Sequence, residues 1–152
     1  ICDRMIARLL DGNTSGLPDQ LMRSDADESS VYLGTLGFAV VGYGEAARRA
    51  AQAVFLPGSE SGGFVQNDVA VPTALAWKGQ EDAGRMLDRC LGAVALTAAR
   101  AFWVTERAAP PALAPTLAWV EHSSSATKGM AGPGQLAGQV TDVIGQRIYG
   151  PS

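Results

Sequence analysis

The stretch Pro72-Thr-Ala-Leu-Ala-Trp-Lys-Gly-Gln-Glu-Asp-Ala-Gly-Arg-Met-Leu-Asp-Arg-Cys-Leu-Gly-Ala-Val-Ala-Leu-Thr-Ala-Ala-Arg-Ala-Phe-Trp-Val-Thr-Glu106 decides the fold. Leu75, Met86 or Leu87, Cys90 or Leu91, Val94, Ala98 and Ala101 or Phe102 recur at helical spacing, with no breaker except Gly79, Gly84 and Gly92. Pro72 fits the first turn of a helix, where a missing amide hydrogen costs nothing. Ala109-Pro110-Pro111 ends the run. At 1.5 Å per residue the predicted helix is on the order of 50 Å long. A rod of that length carries more apolar surface than its own 152 residues can hide. The expectation is a bundle shared with other chains.

Working upstream, Pro57-Gly-Ser-Glu-Ser-Gly-Gly63 reads as a loop, followed by Gln66-Asn67-Asp68 at the foot of the long helix. Before the loop, Ser29 or Ser30 is a credible N-cap for a second helix running to about Val54. Its apolar stripe is Leu33, Leu36, Ala39 or Val40, Tyr43, Ala47 and Ala50 or Ala51. Gly34, Gly37, Gly42 and Gly44 each cost roughly 1 kcal/mol against Ala in a helix interior. Their presence predicts close helix–helix packing. The opening segment, Ile1 to Leu10, is helical in period and lacks an N-cap, as if cut into rather than started. Asp11-Gly-Asn-Thr-Ser-Gly16 closes it, with Gly12 or Asn13 suited to the left-handed position, and Leu17-Pro18 follows as a turn. Downstream of the rod, Leu113 to Glu121 and Gln135 to Tyr149 read as two further helices. No alternating strand pattern exceeds a few residues, so the fold class is all-α. Residues 1–106 form one helical segment and residues 107–152 a helical extension of the same domain.

Twelve basic against fifteen acidic residues leave a net charge of −3, which disfavours nucleic acid as a partner. The longest apolar run, Val31 to Tyr43, is interrupted by glycines and falls short of the roughly 20 residues of a membrane span. With no leader pattern and no paired-cysteine framework, the expected location is cytoplasmic, away from membranes. One histidine, His122, and two cysteines far apart in sequence, Cys2 and Cys90, do not make a metal cluster. Gly42-x-Gly44 lacks the third glycine of a dinucleotide loop, and no Gly-x-Ser-x-Gly elbow is present. His122 reads as a solvated residue at a helix C-terminus, and Asp25, Asp27 and Glu28 as a solvated acidic loop.

Four stretches in order resemble the C-terminal part of the histidine and aromatic amino-acid ammonia-lyases and the related aminomutases. They are Arg4-Met-Ile-Ala-Arg-Leu-Leu-Asp11 leading into Ser15-Gly-Leu-Pro18, the Gly/Ala-rich helix Ser30 to Ala51, Gln66-Asn67-Asp68, and Ala76-Trp77-Lys78 in the helix that follows. The likeness covers about residues 1–106. It implies a long-helix bundle and elimination of ammonia from an α-amino acid, or its α-to-β migration.

The departures define what the resemblance can mean. The family's electrophile is a methylidene-imidazolone group formed by cyclisation of Ala-Ser-Gly, and this chain has no Ala-Ser-Gly. The family's tyrosine loop is likewise missing. The implied arrangement is a small subunit of a two-chain enzyme, in a hetero-oligomer with a tetramer-like core. A larger partner chain would carry Ala-Ser-Gly and supply the prosthetic group. No residue of this chain is expected to be catalytic. Asn67 and Gln66 are expected to touch the amino-acid substrate, and Asp68 to anchor the loop. Asn67 stands where the family carries Glu or Gln. It can hydrogen-bond an amine but cannot act as a general base. Asp68 or Asn67 capping the long helix is an equally open reading, and the two roles can coexist. The alternative is a non-catalytic helical assembly protein derived from the same scaffold.

Overall fold

A computed structural model describes residues 1–23, 32–52, 70–125 and 132–149. Among these the chain forms six α-helices and no strand: α1 (Cys2–Leu10), α2 (Gly12–Ser15), α3 (Leu36–Ala50), α4 (Ala70–Thr105), α5 (Ala114–Ser125) and α6 (Pro133–Tyr149). Two 3₁₀ turns, Asp19–Leu21 and Leu33–Thr35, complete it. The class is all-α, and the long helix is a single element of 36 residues. Its uninterrupted helical period had put the ends within two residues of where they lie.

α4 is the spine, with α3 and α6 packed along it and α1 and α5 against its sides. The core unites Ile6 and Leu10 of α1, Leu36 and Val40 of α3, Val120 of α5, and Leu136, Ala137 and Val140 of α6. Leu21 and Leu33, from the two 3₁₀ turns, join them. The share from α4 is Cys90, Ala93, Leu96, Ala101 and Val104, all in its second half. Each large aliphatic side chain removed from water there contributes about 1.5–3 kcal/mol. Thr97 is fully buried among them, and its hydroxyl is satisfied by donating to the Ala93 carbonyl at 2.8 Å.

The first half of α4 is different. Leu75 and Leu87 are each 53% exposed and Trp77 is 73% exposed. The expected stripe therefore holds only from Cys90 onward, and Leu75 is outside the core. Two glycines of the rod mark where neighbours approach its backbone. A Cβ at Gly92 would run into the Thr141 side chain and stand 2.9 Å from the Ala137 carbonyl oxygen of α6, and one at Gly79 would stand 2.6 Å from the Ala50 carbonyl oxygen of α3.

Other expectations need correction. Among the described residues the glycines of the second helix do not serve close packing: Gly37, Gly42 and Gly44 have no neighbour within 4 Å of a built Cβ, and only Gly34, in the 3₁₀ turn before α3, is crowded, by the Tyr32 ring. The second helix begins with the 3₁₀ turn and continues as α3 to Ala50; Ser29, Ser30 and Val54 lie outside the described residues. The left-handed position is neither Gly12 nor Asn13 but Gly16, with φ 67°. Asp11 is the physical reason. Its carboxylate accepts from the Asn13 amide at 3.0 Å and from the Thr14 hydroxyl, which starts the one-turn helix α2 instead of closing α1. Ser15 Oγ then accepts from the Leu17 amide at 3.1 Å, fixing the turn.

Candidate functional site

The residues singled out for substrate contact, Gln66, Asn67 and Asp68, lie outside the described residues. What is described is the platform that follows them. α4 starts at Ala70, and its Ala76, Trp77 and Lys78 are all exposed. The described residues hold no chemistry that would face an imidazolone group, and no step through it follows from them. His122 is exposed in the last turn of α5, in keeping with a solvated residue at a helix end. Asp25, Asp27 and Glu28 lie outside the described residues. Among the described residues, no group of three or more His, Cys, Asp or Glu could hold a metal ion. No described helix is long and apolar enough to cross a membrane.

A different cluster emerges at the C-terminal end of α4. Arg100 is half-buried, and its Nε donates to the Leu21 carbonyl at 3.2 Å. Its guanidinium carbon stands 4.3 Å from the Trp103 ring centroid, while that of Arg23 approaches the same ring at 5.4 Å. Arg23 also reaches Glu106 at 2.8 Å. Two cations thus share one indole face-on, the favourable arrangement for a π-system with negative faces. Burial lowers the Arg100 pKa, and the positive charge of Arg23 lowers it further. The Nη2 of Arg100 is buried with no hydrogen-bond partner among the described residues, which leaves a donor unsatisfied at a cost.

Backbone strain gathers at the same junction. Gln20, Leu21 and Glu106 are the non-glycine residues with positive φ among those described, at 54°, 52° and 53°. Each such residue costs on the order of 1–3 kcal/mol unless its surroundings hold it. Leu21 is held by complete burial and by the bond from Arg100, and Glu106 lies against Arg23. Beside the cluster is a cavity of about 520 Å³ bounded by Arg23, Phe102, Trp103, Glu106, Leu117 and Glu121. The chemistry available is charge placement: a guanidinium gives up no proton near neutral pH, but it orients a carboxylate or a carbonyl firmly.

Sequence reasoning missed this cluster. The signal was present: Arg100 interrupts an apolar face between Leu96 and Val104, and an arginine there must find a carbonyl or an aromatic ring. Which carbonyl is set by tertiary placement, since Leu21 is remote in the chain, whereas the Trp103 ring lies three residues on in the same helix. No family model, curated protein or solved structure matches the chain.

Proposed function

We propose that this chain is the small subunit of a two-chain enzyme resembling the ammonia-lyases and aminomutases, and that it completes an active site whose methylidene-imidazolone group is carried by a larger chain. The observation that carries the reading is the exposed apolar side chains of the first half of α4. Leu75, Trp77 and Leu87 stand 53%, 73% and 53% exposed on a helix that starts two residues after Asp68. A monomeric soluble protein rarely leaves such residues gathered on one helix without a partner. Covering them with helices of a larger chain would bring Gln66-Asn67-Asp68 to the seam between the two. The ordered motifs from Arg4 to Lys78 support the choice of partner.

In this arrangement the larger chain supplies the electrophile. Asn67 offers an amide donor and acceptor to the substrate amino group, Gln66 a second, and Asp68 holds the loop against the first amides of α4. Co-expression with a larger chain containing Ala-Ser-Gly, followed by ammonia-release assays on α-amino acids, tests this directly. The expected result is a stable complex that releases ammonia, with Asn67→Ala lowering kcat/KM about tenfold or more, the loss of one hydrogen bond to a charged group. A complex that forms but releases no ammonia would favour the second reading, a helical assembly protein without catalysis. That reading draws its support from Asn67 itself, which cannot ionise.

A further inference from the structure

Cys2 and Cys90 are far apart in sequence but line one cavity. It is a pocket of about 210 Å³ where α1, α3 and α4 meet, bounded also by Val40, Leu87 and Ala47. Cys90 is 5% exposed, and its thiol lies 3.9 Å from the Val40 carbonyl, toward which it can donate. Cys2 is half-buried at the start of α1 and is the one of the two that a small reagent meets first. Burial pushes the Cys90 thiol up, and Cys2 pushes it further. Neither cysteine has a part in the proposed reaction.

We infer that Cys2 and Cys90 form an intramolecular disulfide when a hydroperoxide reaches the mouth of this cavity. The Cys2 thiolate attacks one peroxide oxygen; the O–O bond breaks, an S–O bond forms, and hydroxide leaves, so sulfur is oxidised and peroxide reduced. Cys90 then gives up its proton and attacks the Cys2 sulfur. The S–S bond forms, the S–O bond breaks, and the departing hydroxide takes that proton as water. Cys90 never needs to meet the oxidant, which suits a buried thiol. The cross-link ties α1 to α4 and closes residues 2–90, more than half of the chain, into a loop. Loops of that size gain most from restricting the unfolded state. A thiol reductant reverses it.

The test is to treat the purified full chain with a small excess of hydrogen peroxide and follow it by intact-mass measurement, thiol titration and peptide mapping without reductant. The expected product is a monomeric chain lighter by two hydrogens, with both free thiols lost, a mapped Cys2–Cys90 peptide, and a Tm several degrees above the reduced form. In Cys2→Ser the Cys90 thiol should survive the same treatment and the Tm should not move. Cys90→Ala, which keeps a small apolar group in the pocket, should leave Cys2 to progress to sulfinic acid. The inference is overturned if Cys2 in the unaltered chain ends as sulfinic acid or as an intermolecular disulfide while Cys90 keeps its thiol. It is equally overturned if Cys90 is oxidised as fast in Cys2→Ser as in the parent.

Discussion

The two halves of α4 are built from similar residues and meet opposite fates. From Cys90 to Val104 the helix presents Ala93, Leu96, Ala101 and Val104 to α1, α3, α5 and α6, and all are buried. From Leu75 to Leu87, among the described residues, it leaves Leu75, Trp77 and Leu87 half or more exposed. Composition does not separate them. The supply of neighbours does: α6 crosses at Gly92, and α3 runs alongside from Cys90, opposite Val40, to Gly79, opposite Ala50, with Leu75 and Trp77 beyond its end. An apolar helical face is therefore a demand for cover, and among the described residues it is met mainly in the second half.

Truncating a side chain in each half sharpens the contrast most. Leu96→Ala should destabilise the isolated chain by about 2–5 kcal/mol, the cost of a core cavity. Leu87→Ala, in the bare half, should stay within about 0.5 kcal/mol. Denaturant unfolding monitored by circular dichroism compares them, and similar losses would break the division.

Glycines provide the next contrast. Gly92→Ala forces a methyl group into the α6 crossing and should cost about 1–3 kcal/mol. Gly84 has no neighbour within 4 Å of a built Cβ among the described residues. Gly84→Ala should therefore stabilise the isolated chain by about 0.5–1 kcal/mol, the helix-propensity gain. The opposite signs are readable in one set of thermal melts. Loss of stability at Gly84 would mean that α4 is already covered there.

The smallest effect lies at the Asp11 cap, away from both halves. Hydrogen bonds from Thr14 and the Asn13 amide hold its carboxyl below the ordinary value of 3.8. A carboxyl lowered on folding contributes stability that is present above the unfolded value and lost as pH falls through the folded one. Asp11→Ala should thus lower the Tm slightly at neutral pH, and the two proteins should converge in strong acid. A difference that persists there would assign the effect to backbone geometry instead.

Much of this was legible in the sequence because helical period is a local property. The Pro72–Glu106 rod and the Leu33, Leu36, Val40 stripe lie where their spacing put them. Gly16 was missed because Asp11 competes for the amides that Gly12 would have left free, a side-chain choice that period does not encode. The close approaches fell at Gly79 and Gly92, taken as mere interruptions, rather than along α3. Which glycine sits at a crossing depends on tertiary register. The Arg23–Trp103–Arg100 cluster was hidden for the same reason: Arg100 signals that it needs a partner, but only the fold brings Leu21 to it. Asn67 and its neighbours, the residues on which the functional reading turns, lie outside the described residues.

Sedimentation equilibrium of the full chain over a range of concentrations bears most directly on the unmet demand of α4. The expected outcome is a mass above 15.8 kDa that falls to the monomer value when Trp77 and Leu91 are replaced by Glu, or a weakly structured monomer that gains helix on binding a larger chain. A cooperative, fully folded monomer at every concentration, unchanged by those replacements, would contradict it.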